Sequence, residues 1–187
     1  NERAPYGLRS DRTMTNMLIH DMDSTRWLLG EELTSVQVIA PRPGPDTPPG
    51  QLDPMLVLFR STGGTLIEME AFANAGYGYE VSCHVVAERG LLDMTDGGYL
   101  RRTEHRQQVR DIPEQWLGRF SEAYRLEMQA WVDLLRGRDR PAANTWDGLA
   151  ATAAATAAVT AISSSGWVDV TVPPRPDLYQ GSPQSKG

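Results

Sequence analysis

Between Thr15 and Leu29 the apolar residues recur at helical spacing. Leu18, Met22 and Leu29 form one line, Ile19 and Trp27 lie beside it, and Gly30 follows as a stop. The pattern then shortens. Ser35 to Ala40 reads as a strand, and Pro41 to Pro54, with six prolines and two glycines, reads as a loop. Met55 to Arg60 and Thr65 to Phe72 flank a Thr62-Gly63-Gly64 turn, which predicts a β-hairpin. Tyr79 to Ala87 reads as a further strand, Glu88-Arg89-Gly90 as a turn into Leu91 to Met94, and Tyr99 to His105 as a weaker strand.

Helical spacing returns in the last third. Pro113 suits the first turn of a helix running to Leu135, with Trp116, Phe120, Ala123, Met128, Trp131, Leu134 and Leu135 on its apolar face. Gly137 and Pro141 end it. Asn144, Thr145 or Asp147 then caps a second helix, Trp146 to Ser163, whose many alanines allow close packing on a sheet. Trp167 to Val172 reads as a short strand. The order predicts an α+β fold: an open, mostly antiparallel sheet with helices on one face. Residues 1–172 form one domain in this reading, and residues 173–187 a polar tail.

Composition narrows the function. The chain has 187 residues and a net charge of -6, with no basic stripe to meet a phosphate backbone, so a nucleic-acid partner is not expected. No apolar run reaches membrane-spanning length. The single cysteine, Cys83, forms neither an internal disulfide nor a Cys-rich zinc site, and fits a reducing, cytoplasmic home. Arginine supplies 17 of the 18 basic residues, and the one lysine, Lys186, lies in the tail. No G-x-G-x-x-G or Walker pattern joins a strand to a helix, and no His/Asp/Glu group has a metal-ligand spacing, so no metal is expected. The first residue is Asn1 rather than Met, which suggests a fragment or a processed chain.

Three motifs could carry chemistry. Asn16 and His20 stand at i and i+4 on the first helix and so share a face; the histidine could be a general base, or a residue satisfied in helix-to-sheet packing. Tyr77-Gly78-Tyr79, in extended geometry, would put two phenols on one side to bind hydroxyls, or would form ordinary sheet packing. Trp146-Asp147-Gly148 reads as a helix cap with a packing tryptophan.

The stretch Asn16-Met17-Leu18-Ile19-His20-Asp21-Met22-Asp23, with Arg26-Trp27-Leu28-Leu29-Gly30, resembles the catalytic helix of the Gfo/Idh/MocA oxidoreductases. Glu70-Ala71-Phe72-Ala73-Asn74-Ala75-Gly76-Tyr77-Gly78-Tyr79-Glu80, the segment Glu122–Gly137 and Trp146-Asp147-Gly148 extend the resemblance, towards the inositol-oxidising members. The resemblance implies a two-domain enzyme. An N-terminal Rossmann domain would bind NAD(P), and this chain would be the C-terminal domain, whose open sheet builds a homodimer or homotetramer. It implies that the full-length protein oxidises a ring hydroxyl of myo-inositol or a related polyol. His20 would take the hydroxyl proton, and Asn1, Tyr77 and Tyr79 would contact substrate. Asn16 would stand where the dehydrogenases carry an aspartate. Members also use a lysine from the nucleotide domain, for which Lys186 is no counterpart. The asparagine leaves a second possibility: a stand-alone domain that binds a polyol or only oligomerises.

Overall fold

The computed structural model describes residues 9–45, 47–94, 101–110, 112–113, 115–138 and 142–179. The first helical run starts earlier than its apolar spacing suggests. It comprises α1 (Ser10–Arg12), a π-helical stretch (Thr13–Leu18) and α2 (Ile19–Leu29), and ends at Gly30 with φ 65°, a left-handed stop that glycine adopts freely. Met14, Leu18 and Met22, four residues apart, are buried along one line of this run, whereas Trp27 is 78% exposed.

β1 (Leu33–Ile39), β2 (Met55–Ser61) and β3 (Leu66–Ala71) follow, with the short β8 (Val168–Asp169) closing the sheet in the order β3-β2-β1-β8. Every pairing in it is antiparallel. Val36 opposes Phe59 and Val38 opposes Val57, and these inward positions join the helices in one core. The outward rows place Gln37, Leu58 and Glu68 side by side, then Ile39, Leu56 and Glu70. Strand alternation makes the two faces distinct.

α4 (Thr145–Ala161) supplies the rest of the core through Ala150, Ala151, Ala154, Ala155, Ala157, Ala158 and Ala161. Methyl-sized side chains let its backbone approach closely, and burying them costs no rotamer entropy. Asn144 caps this helix: its Oδ1 accepts from the amides of Trp146 (2.8 Å) and Asp147 (3.3 Å), and Asp147 Oδ2 accepts from the Asn144 amide (2.9 Å). The cap reading of Trp146-Asp147-Gly148 is therefore what the structure contains, with Trp146 buried.

The chain divides into two compact units. The elements above belong to the described residues within Glu2–Asn74 and Ala143–Gly187. The other unit, within Ala75–Ala142, holds two antiparallel hairpins, β4 (Cys83–Ala87) with β5 (Gly90–Met94) and β6 (Arg101–Glu104) with β7 (Gln107–Arg110), and α3 (Ser121–Leu135). The observed architecture is the expected α+β class. Two local expectations differ. The strand foreseen from Tyr79 starts at Cys83, and the helix foreseen from Pro113 starts at Ser121. The Pro113 carbonyl accepts the Tyr79 amide (2.8 Å), so neither of these two groups serves a strand ladder or a helix. α3 leaves Met128, Trp131, Leu134 and Leu135 exposed rather than buried. A polar tail from residue 173 includes a 3-10 turn, Asp177–Tyr179; residues 180–187, Lys186 among them, lie outside the described residues.

Candidate active site

Asn16 and His20 are both exposed. The reason lies in the core. Met14, Leu18 and Met22 point into the protein, and Asn16 and His20 follow the same four-residue spacing two positions later. Two residues turn a helix by about 200°, so the second line faces away from the first. His20 is thus not a histidine satisfied in helix-to-sheet packing. Asn16 sits in the π-helical stretch, a local widening of the kind frequent at functional sites. Thr15 Oγ1 donates to the Asp11 carbonyl (3.1 Å) and lies 3.4 Å from Asn16 Oδ1.

Asp21, beside His20, is half-buried. Burial pushes its carboxyl above the usual carboxylate range, opposed by the nearby His20 charge. The helix is held from behind by Arg26, whose side chain is only 5% exposed. Arg26 donates from Nε and Nη2 to Glu32 (2.7 and 2.8 Å) and from Nη1 to Asp23 (3.0 Å), and Nη2 lies 3.7 Å from an Asp147 oxygen. Burial works against the Arg26 charge, but the Glu32 hydrogen bonds and the three carboxylates outweigh it and raise its pKa. In return, the Arg26 hydrogen bond holds Glu32 below its ordinary value. This network ties α2 to the entry of β1 and to the start of α4.

Tyr77 and Tyr79 belong to the other unit, and their geometry differs from the extended one expected. Gly78 between them has φ 115°, so the two rings do not follow strand alternation. A Cβ at Gly78 would come within 2.7 Å of Ile112 Cγ2 and 2.9 Å of the Pro113 carbonyl. Tyr77 is exposed, whereas Tyr79 is half-buried with its ring edge-on to Phe120 at 6.3 Å between centroids. Asn1 lies outside the described residues.

Sequence reading passed over Asp53 and Asn74. Asp53 sits in the proline-rich loop and is 1% exposed. Its carboxylate accepts the amides of Ala73 and Asn74 (both 2.9 Å) and the Asn74 side-chain amide (2.7 Å). Nothing in the sequence sets Asp53 apart from Arg42 and Asp46, the other charged residues of the same loop.

Among the described residues, no three His, Cys, Asp or Glu side chains gather into a metal-ligand set. The strands of the main sheet are antiparallel, and the amides at the α4 N-terminus are already taken by Asn144.

A profile of the oxidoreductase family's C-terminal alpha/beta domain matches residues 9–170. The chain belongs to the Gfo/Idh/MocA oxidoreductases, of which it is the C-terminal domain. Within that family its relatives include inositol dehydrogenases. An inositol 2-dehydrogenase from Streptomyces avermitilis is 38% identical over 186 residues, covering 100% of this chain and 54% of that protein. One from Serratia proteamaculans is 38% identical over 171 residues, covering 91% and 50%. The crystal structure of myo-inositol dehydrogenase from Lactobacillus casei, in complex with NAD(H) and myo-inositol, superposes with a TM-score of 0.84 at 30% identity, covering 92% of this chain and 52% of that one. The chain spans about half the length of the relatives it matches. Among the described residues, no helix is long and apolar enough to cross a membrane.

Proposed function

We propose that the full-length protein is an NAD(P)-dependent dehydrogenase that oxidises a ring hydroxyl of myo-inositol or a related cyclitol. The observation that carries this reading is the Asn16–His20 line, set on the helix face opposite the core and so presented outward. Bound NAD(P) would supply the hydride acceptor, and its site is assigned to the half of the protein that precedes this domain. The residues of this chain do the proton and binding work. His20 accepts the hydroxyl proton as a general base. Asn16 holds the reacting hydroxyl by a hydrogen bond. Tyr77 and Tyr79 offer phenols to the neighbouring hydroxyls and a ring face to the cyclitol, and Asn1 adds a polar contact. Residues 1–172 supply the substrate-binding and assembly part of the protein in this reading. The outward rows of the four-stranded sheet, with half-buried Leu56 and Leu58, serve a homodimer or homotetramer in the cytoplasm. The stand-alone binding reading has no such support, since the relatives above are dehydrogenases of about twice this length.

Steady-state kinetics of the full-length protein with myo-inositol and NAD+ tests the proposal. His20→Ala should lower kcat by about 10²–10⁴-fold with a smaller change in KM. Equal losses in both, or a parent protein that reduces neither NAD+ nor NADP+ with any cyclitol, would rule it out.

A further inference from the structure

The helical run from Ser10 to Leu29 carries two lines of side chains. Leu18, Met22 and Arg26 recur every fourth residue and are buried. His20 and Ser24, also four apart, are exposed, and Trp27 and Leu28 follow at seven and eight residues from His20. Residues at these spacings share one helix face. The segment Ile19–Leu29 is α-helical throughout, so Trp27 stands within about 20° of His20 around the axis and about 10 Å further along it. It is 78% exposed, and Leu28 is 48% exposed. This end of the helix is also firmly held: Arg26, the residue before Trp27, binds Asp23, Glu32 and Asp147. Scattered leucines are ordinary on a protein surface. A large aromatic ring on a fixed helix is different. Tryptophan is enriched where partners meet, because it removes much apolar area from water at little cost in rotamer freedom, and its indole N–H can still find an acceptor.

The reaction says what stands over this face. His20 takes the hydroxyl proton, and the hydride leaves the carbon that bears that oxygen for NAD(P)+. The acceptor must come to about 3–3.5 Å from that carbon, on the outward side of the same helix. The part of the protein that binds the acceptor must therefore lie across it. The chain is the C-terminal domain of its family and spans about half the length of its relatives. The preceding half thus joins it through the residues that lead into α1, where this helical run begins. Contacts between domains of one chain cover about 600–1,500 Å², a patch far wider than the span from His20 to Trp27. We infer that Trp27, with Leu28, is a docking surface for the nucleotide-binding half of the full-length protein. The inference rests on the dehydrogenase reading above. It adds how base and cofactor are brought together: one helix face carries both the proton acceptor and the contact that seats the other half.

Hydroxyl-radical footprinting of the full-length protein, read by mass spectrometry, tests this. Trp27 should be oxidised at least about tenfold more slowly there than in a synthetic peptide of residues 19–31. Rates within about twofold of each other would leave Trp27 in water and overturn the inference. Trp27→Ala should lower kcat/KM for myo-inositol by about tenfold, through lost alignment of base and hydride acceptor, and Trp27→Phe should restore most of it. The number of subunits, by light scattering, should stay the same in both variants. An unchanged kcat/KM in Trp27→Ala, or a fall in subunit number, overturns the inference; the second result would mean that another copy of the chain covers this face. Each of these results leaves the dehydrogenase reading standing, since the parent still oxidises the cyclitol. A parent protein that oxidises no cyclitol overturns both. The footprint is taken on the parent, so it decides between these outcomes even should Trp27→Ala fail to fold.

Discussion

At the scale of single residues, Asn16 is the most informative position. An asparagine there can hydrogen-bond a hydroxyl but brings no negative charge to raise the basicity of the histidine one turn on. Asn16→Asp should therefore increase kcat with myo-inositol near neutral pH, by several-fold to about tenfold, if the proton transfer limits turnover. The measurement is a pH profile of kcat, in which the aspartate variant should show its acid-limb pKa moved upwards, since the histidine acts as a base only when unprotonated. An unchanged or slower enzyme would mean that the site works without a carboxylate at this position. The sequence alone made Asn16 and His20 legible, because four-residue spacing fixes a shared helix face. It left open whether that face was buried. Only the burial of Met14, Leu18 and Met22 on the opposite side decided it. Tyr77 and Tyr79 were legible as a pair but not in their geometry. A glycine between two tyrosines reads equally well as strand or turn, and φ 115° at Gly78 is a tertiary outcome of its fit against Ile112 and Pro113.

At the scale of elements, the boundaries that sequence located well were those marked by local chemistry: the Gly30 stop, the Thr62-Gly63-Gly64 turn and the Asn144 cap. It failed at Pro113, where a proline suited to a first turn is followed by a helix only from Ser121. Arg26 joins local and remote chemistry: Asp23 lies on its own helix and Glu32 just before β1, whereas Asp147 lies on α4. Removing it leaves Glu32 and Asp147, each partly exposed, facing one another without a cation. Arg26→Ala should cost about 2–3 kcal/mol, read by urea unfolding. The network also sets a pH response. The Glu32 pKa is lowered on folding, so its contribution is complete above the ordinary glutamate range and is lost as pH falls through that range. The Asp21 pKa is raised, so its contribution runs the other way: it is full in acid and lost as pH rises through its raised value. Glu32→Gln should therefore flatten the loss of stability between about pH 6 and about pH 3, relative to the parent. A curve as steep as the parent's would place the acid sensitivity elsewhere.

At the scale of the whole molecule, burial is unevenly shared. Among the described residues, the buried hydrophobic core draws on the first helical run, β1 to β3 and α4, and none of it comes from β4, β5 or α3. The apolar pattern of α3 foretold a helix correctly but not the exposure of its apolar face, because periodicity reports that a face exists and not what covers it. Amide exchange by mass spectrometry should separate the units. Peptides from β1, β2 and α4 should be protected by orders of magnitude more than those from β4 and β5. Equal protection would show that the hairpins share one cooperative unit with the core.

The two-residue offset between the buried line and the exposed line of the first helix bears on how this site can evolve. One ridge of that helix is an anchor and the other carries the proposed chemistry, and a single rigid thread carries both. Losing or gaining one residue between Leu18 and Met22 would swing every later side chain by about 100°, turning methionine towards water and moving the exposed line off its face together. Indels are thus closed to this segment as a way of altering chemistry. Exchange of one side chain for another in a fixed register stays open, and Asn16→Asp is a change of that kind.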